Sequence, residues 1–172
     1  MKRIIVFTGH TGAGKSALAK LLSIHYHCSL LSFSSEGRLL SMNVFNKIQT
    51  SKIENIIFVR IIEEIKNNEM IIVDGISSIE VINKLNSYNY HFLVINIVAP
   101  YLTRIKRIIR LHKCRILDAI DLEKEKEKNK NKSGLKKIIA LSHYTLYNKG
   151  DIGFVYKQAK DIIDKEELIN EQ

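Results

Sequence analysis

Tryptophan is absent, proline occurs once, cysteine twice, and aromatic residues make up only 8% of the chain. Each scarcity excludes something. Cys28 and Cys114 stand far apart and neither belongs to a C-x-x-C pair, so neither a disulfide framework nor a cysteine zinc site is expected. That usage fits a reducing compartment, and a cytoplasmic location is expected. The histidines (His10, His25, His27, His91, His112, His143) show no metal-ligand spacing with acidic partners. No apolar run approaches the ~20 residues a membrane helix needs. Met1-Lys2-Arg3 followed by apolar residues imitates a signal peptide, but the apolar part is too short and runs straight into a glycine-rich loop. Acidic residues are outnumbered, 18 Asp+Glu against 27 Lys+Arg, which leaves a formal net charge of +9. Nucleic acid, an anionic surface or a polyphosphate ligand could each answer that charge.

What is present is organised around Gly9-His10-Thr11-Gly12-Ala13-Gly14-Lys15-Ser16, which fills every specified position of the Walker A pattern G-x-x-x-x-G-K-S/T. The pattern describes a backbone whose N–H groups turn inward around a phosphate. Glycine permits the tight turns and leaves no Cβ between backbone and anion. Lys15 is placed to reach the β- and γ-phosphates, and the Ser16 hydroxyl to reach Mg²⁺. The context is the required one. Arg3 to Thr8 is a β-branched apolar run, and Ala17, Leu18, Leu21, Leu22 and Ile24 recur at helical spacing. The helix adds the positive end of its dipole to the loop.

Further along, Ser29 to Phe33 reads as a second strand, followed by Ser34-Ser35-Glu36-Gly37-Arg38 and a helical stretch with Leu39, Leu40, Val44 and Phe45. Ser51 and Glu54 have capping-box spacing before an apolar helix ending near Lys66-Asn67-Asn68. Met70 to Gly75 is an apolar run closed by Asp74, the Walker B pattern. It sets a carboxylate at a strand tip beside the loop, where it can hold Mg²⁺. Ser78 is the expected cap of the next helix. His91 to Val98 is a fourth strand, and Pro100 opens a helix with Leu102, Ile105, Ile108, Ile109 and Leu111 on one side and Arg104, Lys106, Arg107, Arg110, Lys113 and Arg115 on the other. No apolar residue lies between Glu123 and Lys132, so the stretch from Asp118 is read as a solvated helix or a mobile segment. Tyr144 to Asn148 is the last strand, and Ile152 to Ile169 the terminal helix.

Strands alternating with helices over 172 residues imply a single α/β domain, residues 1–172, with a parallel sheet covered on both faces. In such sheets ligands bind at the carboxyl ends of the strands. Gly9, Asp74 and Asn148 follow or close their strands and should share that edge.

The phosphate loop after the first strand, Val-Asp-Gly after the third, the arginine-rich helix after the fourth and Tyr-Thr-Leu-Tyr-Asn-Lys-Gly near the end resemble the nucleoside-monophosphate-kinase-like P-loop proteins. Within them the layout is most similar to the small archaeal adenylate-kinase-related proteins and the dephospho-coenzyme A kinases. The resemblance covers nearly the whole chain. It implies a three-layer α/β/α P-loop NTPase fold with sheet order 2-3-1-4-5, an acceptor-binding region at about 34–68 and a charged helical lid at about 111–134. It also implies transfer of the γ-phosphate of ATP to a small phosphorylated acceptor, a nucleoside monophosphate or a dephospho-coenzyme A-like molecule. The expected nucleotide contacts are Gly9, His10, Thr11, Gly12, Ala13, Gly14, Lys15, Ser16, Ala17 and Asn148. Lys15, Asp74, Arg107, Arg110 and Arg115 are the expected catalytic groups, Ser16 and Asp74 the Mg²⁺ ligands, and Arg38 and Glu36 the acceptor contacts. Ser77 stands where the family often has arginine, which keeps open an alternative: an ATP-binding module with a degenerate acceptor site. Most of the positive excess falls between Arg104 and Lys137, a stretch without aromatics for base stacking. A basic lid over a polyphosphate therefore explains the charge without nucleic acid.

Overall fold

The computed structural model describes residues 2–33 and 50–170. Its centre is a sheet of β1 (Arg3–Thr8), β2 (Ser29–Ser32), β3 (Met70–Asp74), β4 (His91–Val98) and β5 (Tyr144–Tyr147). The strands lie in the order β2-β3-β1-β4-β5, and every pairing is parallel. This is the expected 2-3-1-4-5 sheet of a three-layer P-loop kinase fold. The runs are apolar without alternation because both faces are covered.

Side chains of odd and even parity go to opposite layers. Ile5, Phe7, Ile72, Leu93 and Ile95 pack against Leu18 and Leu22 of α1 (Lys15–His25) and Val155, Ala159 and Ile163 of the terminal helix (Ile152–Asn170). Ile4, Val6, Ile71, Val73 and Val94 meet the other layer. That layer is α2 (Thr50–Lys66), α3 (Ile79–Asn86) and, two helices further on, the short Leu135–Ala140 segment. A third, smaller cluster joins Ile105 and Ile108 of α4 (Tyr101–His112) to Ala119 of α5 (Ile116–Ser133). The Leu135–Ala140 and Ile152–Asn170 helices are α6 and α7.

The caps correct two local readings. Ser78 does cap α3, accepting from the Val81 N–H at 3.4 Å. Ser51, however, lies inside α2, and the Glu54 carboxylate accepts a 2.6 Å bond from the Ser78 hydroxyl, tying α2 to the start of α3. Pro100 is the N-cap of α4 and not its first helical residue.

The two faces of α4 are not divided as the periodicity implies. Leu102 and Leu111 are exposed, at 71% and 76%, whereas Arg104 is buried. Helix α4 has neighbours on two sides, the phosphate loop and α5; Arg104 and Arg107 of its polar stripe are drawn in toward them, while Lys106 and Arg110 stay exposed.

Ile72 is completely buried between the central sheet and α1. Ile72→Ala should cost about 2–5 kcal/mol, read as a lower urea midpoint at unchanged slope.

Candidate phosphate-binding site

The loop from Gly9 to Gly14 leaves β1 at the carboxyl edge of the sheet and runs into α1. It passes through left-handed backbone at Gly9, Gly12 and Gly14. At Gly12 (φ 78°) an added Cβ would stand 2.8 Å from the Arg104 carbonyl oxygen, and at Gly14 (φ 102°) 2.4 Å from the Asn148 side-chain nitrogen. These glycines are thus required by what presses on the loop from outside as well as by its turns.

The loop's carbonyl oxygens are held by side chains from four different elements. Lys130 Nζ approaches the Gly9 oxygen at 3.4 Å. Lys15 Nζ donates to the His10 oxygen at 3.0 Å, and Arg104 to the Thr11 oxygen at 3.2 Å. Arg107 donates to the Gly12 and Ala13 oxygens, both at 3.0 Å. Asn148 Nδ2 donates to the Ala13 oxygen at 2.8 Å, while its Oδ1 accepts from Arg107 at 2.9 Å. With these carbonyls bound, the Gly12 and Gly14 N–H groups are left for a ligand, whereas the Ala13 N–H closes on the His10 oxygen at 3.2 Å and the Thr11 N–H is taken by Glu127. Helix α1 continues the pattern. Its first turn has no acidic residue, and its N-cap, Gly14, has no side chain to satisfy the opening N–H groups.

Beside the loop, the Ser16 hydroxyl donates to Asp74 Oδ2 at 2.5 Å, and the Ser32 hydroxyl reaches the same oxygen at 3.4 Å. Asp74 is fully buried. A carboxylate and a hydroxyl meeting next to a phosphate loop are hard oxygen donors of the kind Mg²⁺ takes, with phosphate oxygens and water completing its shell. Residues 74 and 16 therefore fit Mg²⁺, and residues 9–17 fit a polyphosphate. A cavity of about 550 Å³ opens against the loop, lined by Gly12, Gly14, Lys15, Ser16, Ala17, Arg107, Arg110 and Leu111.

Helix α5 departs most from the sequence reading. It is neither free nor simply solvated, since Glu123 and Glu127 are buried in it. Glu123 pairs with Arg104. Glu127 accepts from the Thr11 N–H at 2.7 Å, and its other oxygen meets the His10 ring at 2.6 Å. Lys130 donates to the Thr11 hydroxyl at 2.8 Å. Burial alone would raise the Glu127 carboxyl, but His10, Lys130 and the Thr11 N–H outweigh it and hold the group well below the usual carboxylate range. The ring of His10 thus has a partner of its own.

Lys15, Ser16, Asp74, Arg107 and Asn148 are brought together, and Arg110 lines the cavity mouth. Arg115 is not brought in: its side chain is 89% exposed and pairs with Asp118 at the start of α5. Glu36 and Arg38 lie outside the described residues. Sequence reasoning missed Glu123, Glu127 and Lys130. Their i, i+4, i+7 spacing puts them on one helical face, but the flanking Glu-Lys repeat offers the same spacing on other faces.

No family model matches the chain, and no curated protein matches it. Solved structures do. An uncharacterized protein from Eubacterium ventriosum superposes with a TM-score of 0.72 at 16% identity, covering 96% of this chain and 99% of that one. Shikimate kinase from Aquifex aeolicus gives 0.60 at 19% identity, over 96% and 98%. Shikimate kinase from Acinetobacter baumannii, in complex with shikimate, gives 0.64 at 17% identity, over 98% and 96%. At these identities the likeness establishes the fold, that of P-loop kinases, and nothing finer. It does not single out adenylate-kinase-related or dephospho-coenzyme A kinases. Among the described residues no helix is long and apolar enough to cross a membrane.

Burial, and next to it the neighbouring Lys130, push the Lys15 ammonium from 10.5 down to about 8. The unfolded chain therefore binds that proton more tightly, so the charged lysine costs stability below pH 8 and the cost fades as pH rises toward 10.5. Lys15→Met should be more stable than wild type at pH 7, by on the order of 1–3 kcal/mol, with the two converging near pH 10 in denaturant titrations.

Proposed function

We propose that the protein is a P-loop phosphotransferase that moves the γ-phosphate of ATP to a small-molecule acceptor. The observation carrying this reading is the convergence of Lys15, Ser16 and Asp74 on a loop whose carbonyls are tied by side chains and whose Gly12 and Gly14 amides, with the opening amides of α1, are left for an anion. In the reaction an acceptor oxygen bonds to the γ-phosphorus as the bond to the β–γ bridging oxygen breaks, and ADP leaves. The chain's part is to hold charge and geometry. Loop amides and Lys15 bind the phosphates, and Ser16 and Asp74 hold Mg²⁺, which neutralises the phosphate oxygens when bound. Arg107 acts through the loop it braces, and Arg110 borders the cavity. The chain is read as a single domain working in the cytoplasm, with α5 in the place of the lid.

The acceptor class rests on resemblance. The sequence motifs favour a nucleoside monophosphate or dephospho-coenzyme A-like molecule, with Glu36 and Arg38 as its contacts. The fold is shared equally with kinases whose acceptor is a carbocyclic hydroxy acid. Asn148-Lys149-Gly150-Asp151 fills the N/T-K-x-D pattern associated with guanine, so the choice of ATP over GTP in this reading rests on the resemblance alone. One observation favours the alternative of an ATP-binding module without efficient transfer: the Glu127 carboxylate already takes the Thr11 N–H.

A coupled ADP-release assay over nucleoside monophosphates, dephospho-coenzyme A and small hydroxy acids, with Mg-ATP, separates the two. Acceptor-stimulated release is expected. Lys15→Met should lower kcat/KM by about a hundredfold or more, and Asp74→Asn should lower kcat by at least about tenfold. Tight Mg-ATP binding with no acceptor-stimulated release would favour the binding module, and the absence of Mg-ATP binding would overturn both.

A further inference from the structure

Among the described residues, two lysine ammonium groups from different elements converge on one shoulder of the loop. Lys15, from α1, reaches back to the His10 carbonyl at 3.0 Å. Lys130, from α5, reaches the Thr11 hydroxyl at 2.8 Å and the Gly9 carbonyl at 3.4 Å. Both therefore face residues 9–11. The cavity against the loop is lined by Gly12, Gly14–Ala17, Arg107, Arg110 and Leu111, so Lys15 borders it and Lys130 does not. A triphosphate whose nucleoside end sat in that cavity would have residues 9–11 at its far end. Two of the three arginines of α4 are already committed elsewhere, Arg104 to Glu123 and the Thr11 carbonyl and Arg107 to loop carbonyls and Asn148, while Arg110 borders the cavity.

Resting on the nucleotide-binding reading above, we propose that Lys130 is the second cation of the phosphate site, gripping the terminal phosphoryl group of the triphosphate and so distinguishing ATP from ADP. Three features equip it. Its helix is fixed to the loop through Glu123 and Glu127, so it is positioned before ligand arrives. Its stem is largely enclosed, which makes an anion beside it worth more than at a surface. Its three donors go to the Thr11 hydroxyl at 2.8 Å and, at 3.4 Å each, to the Gly9 carbonyl and to Glu127, a carboxylate shared with the Thr11 N–H and His10, and the two long contacts are the ones a phosphate oxygen would replace. Burial pushes the Lys130 ammonium down from its ordinary value, a shift that a bound phosphate would reverse.

The test is calorimetric titration of the full chain with Mg-ATP and with Mg-ADP. Lys130→Met and Lys130→Gln, one apolar and one polar, guard against a packing artefact, and circular dichroism checks that each folds. Both should weaken Mg-ATP by about tenfold or more and Mg-ADP by less than about twofold. Lys130→Arg, which keeps the charge, should recover most of the difference. Wild type that binds both nucleotides, with neutral variants that lose affinity for neither or equally for both, overturns the role of Lys130 alone. Wild type that binds neither nucleotide overturns the nucleotide-binding reading and this inference together.

Discussion

A loop that presents its N–H groups to an anion must turn its carbonyls the other way, and those carbonyls then need donors. In this protein the donors are Lys130, Lys15, Arg104, Arg107 and Asn148, serving the oxygens of residues 9 to 13. An unpaired buried carbonyl costs on the order of 1–3 kcal/mol, so these contacts set the loop's shape as firmly as its glycines do. Much else in the structure follows from supplying them. Helix α4 turns Arg104 and Arg107 inward, the end of β5 delivers Asn148, and α5 lies across the loop.

The need for cations also explains the buried charges in α5. Arg104 beside the loop requires a counter-ion, which Glu123 supplies, and Lys130 has Glu127. Burying ion pairs is seldom a route to stability, since desolvation takes back most of what the pairing gives. Their use here is to hold a positively charged, anion-ready loop in place without an anion. The depressed Lys15 ammonium shows the same tension within the loop itself.

The fold was legible because it rests on signals that are local or additive. A β-branched run, a glycine-rich loop and a helical period locate β1 and α1, and the same reading repeated down the chain gives five parallel strands. Asp74 was legible too, as an acid closing a buried strand. The α4 arginines were legible as cations but not in their targets, because whether a guanidinium meets a phosphate or a backbone carbonyl is decided by tertiary placement. Residues 118–132 were misread for a sharper reason. A Glu-Lys repeat carries no apolar stripe to mark its inner face, and the apolar content usually taken as the mark of burial is missing. What meets its buried carboxylates is polar: an amide, an imidazole and a guanidinium on neighbouring elements, invisible until those elements are placed.

The central claim is that the amides of residues 12 to 16 are the anion-binding surface. Backbone amide chemical shifts of the labelled protein, followed while Mg-ADP is titrated in, test it most directly. Large saturable shifts at Gly12, Ala13, Gly14, Lys15 and Ser16 are the expected result. Shifts confined to other parts of the chain, with these amides unmoved at saturation, would contradict it.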